Sequence, residues 1–162
     1  MDIIYDKRSQ IIGDDGENSF IQACIKNGWG KPTPSSEDEN KYQHWDFKLS
    51  NGTKVDVKGC KRLNRYDEKS RSDIVYIEFV GISGYGGWIY GESDIIAFEN
   101  EKQFILITTK KLREISKKLI SREFSRNPKL YKSYRRYSRP LERVGLLHID
   151  DVLKEKHFIL SK

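Results

Sequence analysis

Two aspartates and a lysine lie close together in the chain, in a stretch that reads as a β-hairpin. Asp46 precedes the dipeptide Asn51-Gly52, which is typical of the turn between two strands, and Asp56 and Lys58 follow it. Asp56 and Lys58 are two residues apart, so on a strand their side chains project to the same side. Two carboxylates beside one ammonium are the minimum equipment for metal-dependent cleavage of a phosphodiester.

The length of the hairpin loop decides whether the two aspartates share a face. A three-residue loop, Ser50-Asn51-Gly52, puts Asp46 opposite Asp56, with both side chains on one face of the hairpin. A two-residue loop pairs Asp46 with Val57 and sends the two carboxylates to opposite faces, because strand side chains alternate. Chemistry at this hairpin therefore requires the longer loop.

Paired carboxylates favour Mg²⁺ or Mn²⁺ as the cofactor. These cations keep several waters, neutralise phosphate charge and make a bound water more acidic. Lys58 would orient or deprotonate the attacking water, or stabilise charge on the pentacovalent transition state. A nearby divalent cation would lower its pKa towards the value that a general base needs. The alternative is a solvated strand face, since Asp-x-Lys often arises by chance in a chain that is 33% charged.

A helix is predicted just before the hairpin. Apolar residues recur at helical spacing from Phe20 to Ile25, and Asn27-Gly28 provides a stop. Gly16 opens the run, so Glu17 is predicted to lie in the first turn of the helix. A Glu there either complements the helix dipole or serves as a metal ligand.

An early helical Glu, a strand with Asp and a strand with Asp-x-Lys together resemble the PD-(D/E)XK nuclease superfamily. The match covers roughly residues 13 to 110. Glu17 stands at the helix position, Asp46 at the "PD" position and Asp56-Val57-Lys58 at the "(D/E)XK" position. The chain departs from the motif in having Trp45, where the family pattern has Pro, before the first aspartate.

The resemblance implies a restriction-endonuclease-like core that hydrolyses DNA phosphodiester bonds with Mg²⁺ or Mn²⁺. Asp46 and Asp56 would hold the metal, with the carbonyl of Val57 as a further ligand. Glu17 would bind a second metal or orient a metal-bound water. Lys58 would activate the nucleophile or stabilise the phosphorane.

More than one kind of protein is compatible with this pattern. Gly16-Glu17 is similar to the early Gly and Glu of Holliday-junction resolvases, so a homodimer that cuts branched DNA is one form of the hypothesis. A restriction-like or phage-encoded endonuclease acting on duplex DNA is another. The alternative from a different class is a noncatalytic nucleic-acid-binding module with a nuclease-like fold. Glu78 and Asp94 are either accessory ligands or surface and turn residues.

The rest of the chain predicts an α/β (α+β) fold with a mixed central β-sheet flanked by helices. Runs of β-branched and aromatic residues indicate strands, and polar caps before apolar runs indicate helix starts. Strands are predicted at residues 73–80, 88–90, 93–99, 103–108 and 144–149. Helices are predicted after Thr109 and at residues 150–156, with Thr109 and either Asp150 or Asp151 as caps.

Composition predicts one intracellular domain. A chain of 162 residues can form a single domain, residues 1–162, that buries most of its apolar surface without disulfide or metal staples. Cys24 and Cys60 lack metal-ligand spacing, which favours reduced thiols. No apolar run reaches membrane-spanning length, and the N-terminus lacks a signal-peptide pattern. We therefore expect a cytoplasmic protein that has no membrane contact.

Positive charge is concentrated between Lys110 and Arg143, where 13 Lys and Arg face three Glu, although the whole chain has a net charge of only +6. From about residue 126 to 143, tyrosines are interleaved with cations, a pattern that can pair with phosphates and stack on exposed bases. The alternative is a solvated basic loop whose tyrosines pack on the domain. The candidate DNA-binding residues are Lys110, Lys111, Lys117, Lys118, Arg122, Arg126, Tyr131, Lys132, Tyr134, Arg135, Arg136, Tyr137 and Arg139.

Overall fold

A computed structural model describes residues 7–60 and 71–162 of the chain, with side chains from residue 14 onward. Within these residues the helices are α1 (Lys7–Lys26), α2 (Thr109–Leu119) and α3 (Ile149–Leu153). The strands are β1 (Thr33–Pro34), β2 (Phe47–Lys48), β3 (Lys54–Lys58), β4 (Ile74–Val80), β5 (Ile95–Glu99), β6 (Gln103–Thr108), β7 (Ser133–Tyr134), β8 (Arg143–His148) and β9 (Phe158–Ser161). A π-helical turn spans Glu39–Gln43, and a 3-10 helix spans Trp88–Tyr90.

The larger sheet has six strands in the order β1-β2-β3-β5-β6-β9. β3 and β5 run parallel and the other neighbours run antiparallel, so the predicted mixed sheet and the α+β class are confirmed. The middle residues of β5 and β6 are buried without alternation. Their nearly continuous apolar sequences are typical of strands that are covered on both faces.

β4 does not join this sheet, contrary to the expectation of one central sheet with helices on its faces. It pairs with β8, which pairs with β7, in a separate three-stranded antiparallel sheet. Buried and half-buried residues alternate along β4, so it has one core face, as an antiparallel strand with a solvated outer face should. One face of the central sheet is thus covered by a second sheet together with α2.

Apolar clusters lie on both faces of the six-stranded sheet. On one face, Phe20 and Cys24 of α1 are fully buried against β2, β3 and β6, as the predicted helical spacing requires. On the other face, residues of β5 and β6 pack against β4, β8 and α2, with Ile77 and Leu112 completely buried. Burial of each such side chain stabilises the fold by about 1.5–3 kcal/mol.

The alternation of β3 directs its charged residues away from α1. Val55 and Val57 belong to the cluster under α1. Asp56 and Lys58 therefore face the opposite side of the sheet, towards β4 and the 3-10 helix.

α1 begins at Lys7, so Glu17 lies in the middle of the helix and its prediction as a first-turn residue is wrong. Gly16 serves packing, because a Cβ there would lie 3.3 Å from the Cα of Gly59 and 3.0 Å from Glu99 Oε2. The glycine lets α1 pass close to the end of β3. A single sequence reveals the glycine but not this approach, so the sequence pattern alone indicates a helix start at Gly16.

Two predictions about strands are corrected by the structure. Trp88–Tyr90 was predicted to be a strand because it is aromatic and β-branched, but it forms a 3-10 helix between Gly87 and Gly91. Trp88 and Ile89 are buried there, so the apolar character reflects packing in a single helical turn. β9 was not predicted, and it forms the outer strand of the central sheet next to β6.

The observed helix caps lie one to three residues before the predicted ones. α2 is capped by Thr108, whose hydroxyl accepts a hydrogen bond from the N–H of Lys111, and not by Thr109. α3 is capped by His148, and Asp151 completes a capping box from the third helical position. Both helices nevertheless occur where the sequence predicts them.

α1 is the longest helix in the described part of the chain, at 20 residues. It carries charged residues along its length. Among residues 7–60 and 71–162, no helix is both long and apolar enough to cross a bilayer.

Candidate functional site

The hairpin between β2 and β3 closes with the three-residue loop that the proposed chemistry requires. The N–H of Leu49 donates to the carbonyl of Thr53 at 2.8 Å, and the N–H of Gly52 donates to the carbonyl of Leu49 at 2.9 Å. Gly52 has a φ of +88°, in the left-handed region that glycine adopts readily. The ladder that starts here places Asp46 across from Asp56, one residue beyond the last pair of β2.

Asp46 lies where β2 separates from β3. Its N–H still donates to the carbonyl of Val55 at 2.9 Å. For the next N–H of β3 that faces β2, that of Val57, the Asp46 side chain takes the place of a main-chain carbonyl as the acceptor. Oδ2 accepts a hydrogen bond from the N–H of Val57 at 2.7 Å, and Oδ1 accepts one from Nδ2 of Asn40 at 2.6 Å. The Asp46 carboxylate is therefore held against β3 from both sides.

Asp56 and Lys58 form an ion pair beside this carboxylate. Lys58 Nζ lies 2.8 Å from Asp56 Oδ1, and Asp56 is only 2% exposed. Asp56 Oδ2 is buried and has no hydrogen-bond partner among the described residues. Leaving a buried polar atom unpaired costs roughly 1–3 kcal/mol, and more for a charged group, so this oxygen is an acceptor without a ligand.

The ionisation of this pair reflects burial and crowding of like charges. Burial raises the pKa of Asp56 to about 7, and Asp46 adds to the rise, although Lys58 acts in the opposite direction. Burial lowers the pKa of Lys58, but the charges of Asp56, Asp46 and Glu78 outweigh it, so that the pKa is raised overall. Lys58 is thus held as an ammonium ion.

Glu17 contributes a third carboxylate to the same group of charges. Burial in the middle of α1 raises its pKa to about 7, with further increases from Asp46 and Asp14 and an opposing effect of Lys58. For both Glu17 and Asp56 burial is the largest cause of the raised pKa, and repulsion from the neighbouring carboxylate of Asp46 adds to it. A bound cation would relieve this repulsion.

Three further side chains at the site were not identified from the sequence. The ring of Trp88 lies against Lys58, whose Nζ is 4.6 Å from the ring centroid. His44, at a φ of +56°, is half-buried, and its pKa is lowered by burial and by the charge of Lys58, while Glu78 raises it. Asn40 binds Asp46 directly. Of these three residues, only His44 could have been suspected from the sequence, because it lies two residues before Asp46.

Of the two alternative accessory ligands, Asp94 has a structural contact. Its Oδ2 accepts a hydrogen bond from the N–H of Lys54 at 2.9 Å, and its N–H donates to the carbonyl of Lys54 at 2.8 Å. Asp94 thereby extends the pairing of β5 with β3 towards the start of β3. Glu78 lies on β4, where its charge acts on both Lys58 and His44.

The donors fit a cation that keeps most of its water. In the described part of the chain, no group of three or more His, Cys, Asp or Glu side chains is arranged to hold a metal ion. Asp46 and Asp56 instead offer two carboxylates, one of which has an unpartnered oxygen. Mg²⁺ is commonly bound through one or two carboxylates, with water and substrate phosphate completing the octahedron.

Several of the predicted DNA-binding residues are engaged within the protein. Arg136 and Arg139 pair with the buried carboxylate of Glu142, and Arg135 donates to the Glu142 carbonyl at 2.9 Å. Tyr131 donates from its hydroxyl to an oxygen of Asp151 at 2.7 Å. Lys132 pairs with Glu123, and Lys111 pairs with Glu114.

The other members of the predicted set are open to solvent or half-buried. Tyr137 is fully exposed, and Tyr134 is half-buried on β7. Five cations of the predicted set have neither an ion-pair partner nor a side-chain hydrogen bond among residues 7–60 and 71–162: Lys110, Lys117, Lys118, Arg122 and Arg126. The basic region therefore divides into a paired part that fastens the chain and an unpaired part that is available to a ligand.

Comparisons with known proteins give no relative for this chain. No protein-family model, no curated protein and no solved structure matched it. The functional interpretation therefore depends on the geometry of the site itself.

Proposed function

We propose that this protein is a Mg²⁺- or Mn²⁺-dependent nuclease that hydrolyses DNA phosphodiester bonds, and that it is a restriction-endonuclease-like member of the PD-(D/E)XK superfamily. The single observation that carries the proposal is the meeting of Asp46 and Asp56 beside Lys58, with a buried Asp56 oxygen that lacks a partner. Glu17 adds its charge from α1.

The carboxylates would hold the cation at the open edge of β3. A bound Mg²⁺ or Mn²⁺ would neutralise phosphate charge and make a bound water more acidic. Asp46 and Asp56 would be the first ligands. The carbonyl of Val57 would be a further ligand, because in an extended strand it points to the same side of β3 as the N–H that donates to Asp46. Glu17 would bind a second cation or orient the attacking water.

Lys58 would act mainly on the charge of the transition state. Its raised pKa favours the ammonium form. The ion pair with Asp56 and the ring of Trp88 fix the position of that ammonium, so it can stabilise the phosphorane without first reorganising. Activation of the nucleophile by Lys58 would require loss of this proton when the cation binds.

The proposed substrate is duplex or branched DNA in the cytoplasm. The unpaired cations of the basic region would bind its phosphates, and exposed Tyr137 would stack on unpaired bases. Cleavage of four-way junctions would require two sites, and hence a homodimer. A phage-encoded endonuclease that acts as a monomer on duplex DNA is the other form of the proposal.

A noncatalytic nucleic-acid-binding module is the second candidate. It is favoured by the Asp56–Lys58 ion pair, which at 2.8 Å gives the Asp56 carboxylate a counter-ion from the protein itself. In that case the pair would only stabilise the fold. Binding of DNA would then be indifferent to divalent cations and to the charge of Asp56.

The proposal is tested by cleavage of labelled linear duplex, single-stranded and four-way-junction DNA, and of RNA, in Mg²⁺ or Mn²⁺. The proteins compared are wild type, Asp56→Asn, Lys58→Ala and the control Glu101→Gln, which removes the charge of an exposed carboxylate on the β5–β6 turn. Circular dichroism and thermal unfolding establish that each variant is folded.

We expect metal-dependent cutting by wild type and Glu101→Gln and none by the two site variants. The preferred substrate would then assign the role of the enzyme. A folded wild type that binds DNA and cuts nothing would favour the noncatalytic module. Equal cutting by all four proteins would mean that the site lies elsewhere.

A further inference from the structure

The 3-10 helix Trp88–Tyr90 connects the candidate catalytic site to the basic helix α2. At its first residue, the ring of Trp88 lies against the ammonium of Lys58. At its last residue, the ring of Tyr90 lies against two cations of α2, with Arg113 Cζ 5.7 Å and Lys117 Nζ 5.2 Å from the ring centroid. The 3-10 helix therefore links Lys58 to α2 through ring contacts at its two ends.

One of the two cations beside Tyr90, Arg113, is held by a hydrogen bond. Arg113 and Lys117 are four residues apart on α2, so they lie on the same face of the helix, roughly 5–6 Å apart at their Cβ atoms. Arg113 Nε donates to the carbonyl of Ile89 at 3.0 Å, which fixes its guanidinium against the 3-10 helix. Tyr90 itself is 45% exposed.

Two more arginines act electrostatically with this group. Arg143, at the start of β8, lies over the ring of Phe79 at 4.2 Å and donates from Nε to Ser133 Oγ at 2.9 Å. Its pKa is lowered by burial and by the positive charge of Arg122, with Tyr90 acting in the opposite direction. We call Tyr90, Arg113, Lys117, Arg122 and Arg143 the Tyr90 cluster.

The Tyr90 cluster lacks negative charge. Within residues 7–60 and 71–162, none of its four cations has a carboxylate at ion-pair distance. Nearby cations such as Lys111 and Lys132 do have one, in Glu114 and Glu123. Like charges gathered without counter-charge repel one another, so a bound anion would stabilise this arrangement.

A nucleic acid fits this surface better than an acidic peptide. Tyr90 is exposed beside the cations, and Tyr85, on the loop that leads to the 3-10 helix, is 79% exposed. Such rings can stack on bases, whereas a run of Glu or Asp has no aromatic surface to stack on them. Trp88, two residues before Tyr90, contacts Lys58, where a phosphodiester would be cut.

We propose that the Tyr90 cluster binds backbone phosphates of a DNA strand on one side of the bond to be cut, so that the strand runs from Lys58 along the 3-10 helix to α2. The proposal rests on the proposed nuclease function for the direction of the strand. The binding of DNA phosphates by the cluster does not require catalysis.

The test is DNA binding by fluorescence anisotropy in EDTA, where no cutting occurs. The double variant Lys117→Glu/Arg122→Glu reverses two exposed cations of the cluster that have no structural hydrogen bond among the described residues. Lys154→Glu/Lys156→Glu makes the same change of net charge at exposed lysines after α3. Salt titrations are run for single-stranded and duplex DNA, with polyglutamate as a competitor.

We expect the cluster variant to lose at least about tenfold in affinity and the salt slope to become shallower by about two, while the control loses less than about threefold. Equal losses in both variants would overturn the proposal, because only the net charge would then matter. No DNA binding by wild type, or displacement of DNA by polyglutamate at equal charge, would also overturn it.

The outcome is separable from that of the nuclease proposal. A protein that binds DNA through the cluster but cuts no substrate would retain this inference and exclude the nuclease. A protein that cuts DNA equally well with and without the cluster cations, at DNA concentrations below saturation, would retain the nuclease and exclude the cluster as a binding site.

Discussion

At the scale of single residues, Asp56 is where stability and the proposed chemistry conflict. An almost fully buried carboxylate with one unpartnered oxygen destabilises the folded chain, and Lys58 compensates for only one of the two oxygens. Buried carboxylates of this kind are concentrated at functional sites, because elsewhere a residue that destabilises the fold less could take their place. The unpartnered oxygen is the reason for expecting a cation at this residue.

A divalent cation should therefore stabilise the protein through Asp56. At a Mg²⁺ or Mn²⁺ concentration about a hundred times its Kd, binding adds about 2.7 kcal/mol to the free energy of unfolding. For a chain of this size that corresponds to roughly 5 to 10 °C in Tm. Asp56→Asn should remove the shift, as measured by differential scanning calorimetry, while Glu101→Gln retains it. An identical shift in all three proteins would place the cation elsewhere.

The residue types of the site could be predicted from the sequence, but their surroundings could not. The spacing Asp-x-Lys fixes a common face for Asp56 and Lys58 on any strand. Trp88 and Glu78 reach Lys58 through contacts that depend on tertiary packing, and no local pattern encodes them. The same holds for Asn40, whose contact with Asp46 depends on the path of the π-helical turn.

At the scale of elements, the hairpin loop controls the site, because a one-residue slip would move Asp46 to the wrong face. Gly52→Ala should lower the free energy of unfolding by about 1 kcal/mol, since φ is +88° and open space around the Cβ leaves only the backbone penalty. Gly52→Asn should lose less, because Asn tolerates this region. We expect urea unfolding to give a free energy of unfolding that decreases in the order Gly, Asn, Ala at residue 52. Equal stability of the Gly and Ala proteins would disprove a left-handed conformation at this residue.

The buried carboxylate of Glu142 fastens the basic segment to the second sheet. Burial would raise its pKa, but hydrogen bonds and charge from Arg136, with a contribution from Arg139, lower the pKa below the ordinary value of 4.5. Its folded pKa is thus below the unfolded one. The resulting stability is present above about pH 4.5 and is lost as pH falls through the folded pKa.

Glu142→Gln should therefore destabilise the protein by about 2 to 3 kcal/mol at pH 7, less than a fully buried pair would lose because Arg136 is 38% exposed. The deficit should shrink towards pH 3. Urea midpoints of wild type and variant at both pH values provide the measurement. A loss of stability that is the same at both pH values would show that altered packing, and not the lost charge of Glu142, is responsible.

The strands of the fold were predictable, but their partners were not. β-branched and aromatic runs correctly indicated β4, β5 and β6. Assignment of β4 to a second sheet depends on its pairing with β8, about seventy residues later in the chain, which local patterns cannot specify. The prediction of a strand at Trp88–Tyr90 was wrong because, over three residues, a buried aromatic turn and a buried strand have the same composition.

At the scale of the whole molecule, the net charge of +6 does not show that the basic region contains two kinds of cation. Some cations bind carboxylates of the protein and hold the segment between α2 and β8 in place. The others remain unpaired on α2 and in the turn that follows it. Composition predicts the total charge of this region, but only the tertiary structure separates the cations paired within the protein from those available to a ligand.

The central claim is that Asp56 acts in chemistry and not in binding. The most direct measurement is single-turnover cleavage of the preferred DNA with protein in excess over its measured Kd, comparing wild type with Asp56→Asn. At saturation we expect the cleavage rate to fall by about a thousandfold, equivalent to about 4 kcal/mol of transition-state stabilisation, with an unchanged Kd. An equal rate in the two proteins, or a loss explained wholly by weaker DNA binding, would contradict the account.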